Sequence, residues 1–213
     1  MNKNIGRSIA DARLRDYYSL RFCLLLLLIA VHGNATCYDE RKVIYIQPLG
    51  NVEKPDIDLV KGSVENFYHY KCIIKPPVNF TNDILANSKT RYEANRILSK
   101  YNTSENLLIL TEKDIACANP ERHSVEWGIF GLGYRPGTTC VISTFRLKRH
   151  ASAQLFNSRL TKVCLHEIGH NLGLNHCTSG DKRCLMNDAN GTIKEVDQEQ
   201  IFLCGKCKKA IEK

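Results

Sequence analysis

Nothing in this chain is long and apolar enough to cross a bilayer as a helix: its longest apolar run, Phe22 to Val31, covers 10 residues, where a span needs about twenty. Internal repeats are also missing, which excludes a solenoid or tandem array. A nucleic-acid partner is not expected either, because no groove-reading motif accompanies the basic excess. That excess is +8, and it falls to +5 without residues 1–36, which carry five basic and two acidic side chains. Lys206, Lys208 and Lys209 form its densest cluster and are read as a solvated helix end. At 213 residues and 43% hydrophobic, the chain suits one domain with a sizeable core.

The short apolar run has a meaning of its own. Lys3, Arg7, Arg13, Arg15 and Arg21 precede it, and the small residues Gly33 and Ala35 follow, which is the pattern of an export signal. Residues 1–36 are therefore read as a signal peptide or lipoprotein signal, and 37–213 as the mature domain. Cys37 is either an ordinary cysteine of a secreted chain or a lipidated first residue that anchors the protein to a membrane. The expected location is outside the cytoplasm: periplasmic, membrane-anchored or secreted.

What the chain does have is the run HEIGHNLGLNH, with His166, Glu167, His170, Gly173 and His176 in the order H-E-x-x-H-x-x-G-x-x-H. Residues four apart share a helix face, so His166 and His170 can hold one metal ion while Glu167 stands beside it as a general base. Gly173 can adopt positive φ, which lets the helix stop and the chain turn until His176 supplies a third nitrogen. Three protein ligands leave a fourth position open for water, and this separates a catalytic zinc from a closed structural one.

A second constellation starts one residue later, with Cys177, Cys184, Cys204 and Cys207. Four thiolates suit a closed tetrahedral zinc site, and C-G-K-C at 204–207 is the kind of knuckle that presents two sulfurs to one ion. Neighbours in an extended segment point to opposite sides, so His176 and Cys177 can serve different ions. Two disulfides, or a redox motif at 204–207, are the competing readings in an oxidising compartment. Connectivity of Cys72, Cys117, Cys140 and Cys164 does not follow from the sequence.

The run from His166 to Cys207 resembles the archaemetzincins, a family of zinc metallopeptidases in the metzincin clan. The likeness rests on a cysteine directly after the third histidine, the C-x-M of Cys184-Leu185-Met186, and the C-x-x-C after Asn187 to Leu203. The loop Thr178 to Arg183 is longer than the family pattern, and its turn-forming composition lets it close without moving the sulfurs. Looser likeness continues upstream in VIYIQPLG, SKTRYEANRIL, LLILTEKDI and WGIFGLGY. The resemblance implies two zinc ions, one catalytic on His166, His170 and His176 and one structural on Cys177, Cys184, Cys204 and Cys207. It implies Glu167 as general base and Met186 as the methionine of the turn beneath the zinc. The implied fold is a single α/β (α+β) metzincin-like domain: a mixed twisted sheet with flanking helices, a zinc-binding active-site helix and a small C-terminal subdomain. The implied partner is a peptide substrate lying antiparallel to an edge strand, bound by a monomer.

Local patterns fill in the frame. Val43 to Ile46 reads as a buried strand ended by Pro48 and Gly50, and Asp56 to about His69 as a helix with apolar residues three and four apart. Cys72 to Ile74 reads as a strand, Thr90 to Tyr101 as a helix, and Asn106 to Leu110 as a strand. WGIFGLGY and Thr139 to Phe145 suggest a hairpin turning at Arg135-Pro136-Gly137, and the helix carrying His166 should start near Ala151. The expected function is zinc-dependent peptide hydrolysis. The alternative is a non-catalytic, zinc-stabilised peptide-binding protein, against which the retained Glu167 argues.

Overall fold

A computed structural model of the chain describes residues 42–212; the expected export segment and Cys37 lie outside the described residues. Strand β1 (Val43–Leu49) opens the fold, followed by helix α1 (Lys54–Tyr68), β2 (Lys71–Ile74), β3 (Tyr92–Glu93), α2 (Ala94–Tyr101), β4 (Leu107–Thr111) and β5 (Ile115–Asn119). Then come β6 (Ser124–Ile129), β7 (Gly131–Gly133), β8 (Thr139–Ser143), the short α3 (Thr144–Leu147), the long α4 (Ala153–Asn171), α5 (Ile193–Gln198) and α6 (Gly205–Ile211). The main sheet has the order β2-β1-β4-β8-β7, parallel except for antiparallel β7 at one edge. A second sheet has the order β3-β5-β6.

Alternation along β4 explains the layers. Successive side chains of a strand point to opposite faces, and every residue of Leu107–Thr111 is buried, so both faces of the sheet must be covered. Leu108 and Leu110 join Ile44, Ile46 and Ile142 in a core with Val60 and Val64 of α1 and Leu160, Cys164 and Ile168 of α4. Leu107 and Ile109 face the other way, onto Ala94, Ile97 and Leu98 of α2. The result is a mixed α/β domain with helices on both sides. Residues beyond Gly173 form a smaller C-terminal part with its own apolar cluster of Leu174, Met186 and buried cysteines.

Several expected boundaries shift for local reasons. β1 runs through Pro48 to Leu49, because Pro48 needs only its carbonyl there, accepting from the Val78 N–H at 3.0 Å. The helix expected from Thr90 begins at Ala94: Tyr92 and Glu93 pair with Ile115 and Ala116, and the Glu93 carboxylate caps the helix by accepting from the Asn95 and Arg96 N–H groups. α4 begins at Ala153 rather than Ala151, where Ser152 Oγ accepts from the Leu155 N–H at 3.2 Å. The hairpin expected from WGIFGLGY divides. Residues 124–129 pair with β5 in the small sheet, while 131–133 pair with β8 in the large one.

Arg159 ties α4 to the C-terminal part. Its buried guanidinium donates to both carboxylate oxygens of Asp197, at 2.7 and 2.8 Å, and to the carbonyls of Leu147 and Arg149. Lys162, one turn on, donates to the carbonyl of Val196 at 2.9 Å. Both cations thereby satisfy buried carbonyls, those of Leu147 and Val196, that would otherwise lack partners. Among the described residues no helix is long and apolar enough to cross a membrane.

Candidate metal centres

The end of α4 carries His166 and His170 one turn apart, and the chain then reverses at Gly173, whose φ of +93° is a left-handed value. The reversal is held by Leu174 N–H donating to the Gly169 carbonyl at 2.9 Å and Gly173 N–H to that of His170 at 2.8 Å. This returns His176 toward the helix. Ring centroids then lie 4.6 Å apart for His166 and His170, 4.9 Å for His170 and His176, and 5.5 Å for His166 and His176. One ligand atom from each of the three falls within 4.8 Å of the others.

Ring orientation is set from behind. His166 Nδ1 lies 2.8 Å from the carbonyl of Leu185, and His170 Nδ1 lies 2.8 Å from the carbonyl of Leu174. A carbonyl only accepts, so each Nδ1 carries the proton and each Nε2 lone pair is left for a metal. His176 Nδ1 sits 3.4 Å from Asp188 Oδ2 in the same sense. Burial pushes the His166 imidazole down to about 3 and His170 down as well, which keeps both neutral, the form that ligates. The donor set fits zinc.

Glu167 is only 7% exposed and stands under β7. That strand can pass so close because it is glycine there: a Cβ at Gly131 would lie 2.7 Å from Glu167 Oε1, and one at Gly133 would lie 2.7 Å from the Glu167 carbonyl. Burial pushes the Glu167 carboxyl up to about 8, against the pull of the Gly133 N–H. Asn171, at the helix end, donates to the carbonyls of Tyr134 and Thr139 at 2.9 and 3.0 Å, which fastens α4 to the mouth of the β7–β8 hairpin. A cavity of about 440 Å3 opens over this group, lined by the three histidines, Glu167, residues 129–133, Trp127 and Glu199 among others.

Cys177, Cys184, Cys204 and Cys207 also come together, each with its sulfur within 4.8 Å of the rest. Cys177 and Cys204 sulfurs are 3.5 Å apart and those of Cys184 and Cys207 are 3.8 Å apart. Sulfurs about 2.3 Å from a common zinc at tetrahedral angles are about 3.8 Å from one another, so the spacing fits one ion. All eight described cysteines are free thiols, including Cys72, Cys117, Cys140 and Cys164. Burial opposes ionisation of Cys204, yet hydrogen bonds from Ser179, Cys207 and Cys177 bring it down to about 6. The longer loop after Cys177 closes through Asp181 N–H to Ser179 Oγ and Arg183 N–H to Asp181 Oδ1, with Gly180 at φ +79°. Met186 is fully buried beneath the histidines with its sulfur against Gly169, and its carbonyl accepts from the Cys177 N–H at 2.7 Å.

A mixed sheet with flanking helices, a histidine cluster where a helix ends at a glycine, and a buried Met186 nearby fit the metzincin-like arrangement that the sequence resemblance implies. Residues 124–213 match the model of peptidase family M54. The archaemetzincin of Halobacterium salinarum is 40% identical over 91 residues, which are 39% of this chain and 51% of that protein. The chain thus spans about half the length of the first curated relatives it matches. The archaemetzincin of Archaeoglobus fulgidus is 29% identical over 164 residues, 77% of this chain and 95% of that protein. Its crystal structure, complexed with malonate, has a TM-score of 0.69 at 28% identity and covers 79% of this chain and 99% of that one. The archaemetzincin of Methanopyrus kandleri shares the fold at a TM-score of 0.67 and 21% identity, over 83% of this chain and 97% of that one. The archaemetzincins are thus the proteins this chain is similar to, and zinc is the metal expected of that family.

Sequence reasoning missed three contributors. Gly131 and Gly133 were legible, since glycines two apart share one strand face and mark a close approach. Glu199 was not, lying in a loop with no motif. It is 5% exposed, lines the cavity, and its Oε1 is buried without a partner. Burial pushes its carboxyl up to about 8; Lys162 pulls it back, and Glu195 and Asp188 reinforce the rise. The unfolded chain releases this proton near 4.5 and the folded one near 8, so folding stability falls as pH rises through that window. Glu199→Gln removes the penalty. Urea unfolding of the metal-loaded proteins should show the variant gaining on wild type by about 2 kcal/mol between pH 5 and pH 8, a value reduced for water in the cleft. A constant difference between the two across that range would contradict it.

Proposed function

We propose that this chain is a zinc-dependent metallopeptidase that hydrolyses peptide bonds with Glu167 as general base. The observation that carries the reading is a buried, non-ligating carboxylate standing next to three histidines whose Nε2 atoms converge, at the base of an open cleft. Such a carboxylate is costly to bury and gives the fold little in return. His166, His170 and His176 would hold the catalytic zinc, which when bound polarises the scissile carbonyl and lowers the pKa of water. Glu167 Oε takes the proton from the attacking water and hands it to the departing amine nitrogen. Its position is fixed by the Gly133 N–H and by the strand passing directly above it.

Substrate alignment is supported by the sheet edge. β7 pairs with β8 on one side only, and residues 130–133 line the cleft on the other. An extended peptide can add there as an antiparallel strand through backbone hydrogen bonds, which need no particular side chain. All candidate ligands and Glu167 come from one chain, so the site needs no second copy. Cys177, Cys184, Cys204 and Cys207 would hold a second, structural zinc. The chain would work outside the cytoplasm, led there by residues 1–36, and lipid on Cys37 would anchor it to a membrane.

Three outcomes are expected. Glu167→Ala retains zinc and fold but loses hydrolysis by about a hundredfold or more, measured as peptide turnover beside metal content on one sample; comparable turnover would remove Glu167 from the mechanism. Purified mature protein carries two zinc ions per chain, and Cys204→Ser carries one and melts earlier in its C-terminal part. One ion with these four thiols oxidised would favour disulfides instead. Mass spectrometry of the mature N-terminus finds a start near Thr36 or a diacylglyceryl group on Cys37, whereas intact Met1 on cytoplasmic protein would refute export.

A further inference from the structure

Glu199 is the most conspicuous buried group that the proposed chemistry does not use. It caps the C-terminal end of α5, is 95% withdrawn from solvent, and lines the cleft, yet among the described residues Oε1 meets no donor. A buried carboxylate oxygen without a donor is rare enough to call for an explanation. The neighbouring cations do not supply one. Lys162 directs its ammonium to the carbonyls of Val196 and Asp197 at 2.9 and 3.4 Å, and Arg159 is committed to Asp197, Leu147 and Arg149. The other charges acting on Glu199 come from Glu195 and Asp188, which have its own sign.

The same cavity also has apolar lining. Val163 and Val196 belong to the main core yet line the cavity, as do Phe130 and Ala189, which pack against that core. A carboxylate set among aliphatic and aromatic surface matches one kind of side chain: a long apolar stem with a cation at its tip, which buries the stem and carries its charge to the far end. Only a cationic tip stabilises the ionised form of Glu199 and draws its raised pKa back down, whereas an acidic or uncharged tip leaves the carboxyl protonated and without a charged partner.

We propose that Glu199, with Val163, Val196, Phe130 and Ala189, forms a specificity subsite that takes a lysine or arginine side chain of a peptide. The inference rests on the peptidase reading for the word substrate, but the binding it describes does not require catalysis. Stem methylenes lie on the valines and Phe130, and the ammonium or guanidinium pairs with the Glu199 carboxylate. Glu199 is here a specificity residue and takes no part in bond cleavage.

Trp127 lines the same cavity and is the chain's sole tryptophan, so its fluorescence reports occupancy without turnover. The probes are acetylated alanine hexapeptide amides carrying one lysine, or one norleucine of nearly the same shape without the charge, at each position in turn. Binding to the zinc-loaded wild type should favour lysine over norleucine at least tenfold at one position, and kcat/KM should show the same preference. In Glu199→Gln the ratio should fall to near one, while norleucine peptides bind about as before; Glu199→Asp should retain part of it. Equal binding of the two probes to wild type would overturn the subsite whether or not any variant folds, as would a ratio unchanged in Glu199→Gln. Hydrolysis without a basic preference would leave the peptidase reading standing and remove this one. Lysine-selective binding that depends on Glu199, with no hydrolysis of any peptide, would do the reverse.

Discussion

Two backbone carbonyls, those of Leu185 and Leu174, determine which way the histidine rings of α4 face. Each accepts a hydrogen bond from Nδ1–H and leaves Nε2 pointing away, so the tautomer is decided by main-chain atoms that no side-chain substitution removes directly. Both carbonyls belong to segments the chain reaches only after α4 has ended: Leu174 in the reversal after Gly173, and Leu185 in the methionine turn. The imidazoles therefore acquire their final geometry only once the C-terminal part has docked. Leu185 is itself held by its N–H to the Phe202 carbonyl at 2.8 Å, which leads directly into the cysteine knuckle. A pull on the thiols is a pull on His166.

The two clusters are joined even more closely at His176 and Cys177, adjacent residues that belong to different ligand groups. Cys177 N–H is fixed to the Met186 carbonyl, so the peptide between the clusters has little freedom. The lower cluster sits where the C-terminal part has few apolar contacts of its own, being built from Leu174, Met186 and the cysteines themselves. A core this small needs a staple, and four converging sulfurs supply the means for one.

Motif residues were legible because their chemistry demands fixed spacing. The i, i+4 histidines, the glycine that must turn left-handed and the paired cysteines all follow from helix geometry and ligand softness. The β-branched and apolar runs gave β1, β2 and β4 because strands favour such residues, although only β4 is buried throughout and β2 buries Cys72 alone. What stayed hidden depends on which distant segments meet. The pairing of Tyr92 and Glu93 with β5 overrode a helical pattern that is locally sound, and the division of 124–133 between two sheets is a property of the sheets and not of the peptide. Glu199 was invisible because its significance is an absence, a donor that does not come within reach, and no window of sequence records that.

Among the described residues, β7 leaves its outer hydrogen-bonding row unpaired, an arrangement that in most sheets invites edge-to-edge aggregation. Here it is three residues long, flanked by Glu167 and the end of α4, and sunk in a cleft. A lone extended strand can enter such a slot; the edge of another folded sheet, with its own helices attached, cannot. A recessed edge of this kind thus works against edge-to-edge pairing between folded copies.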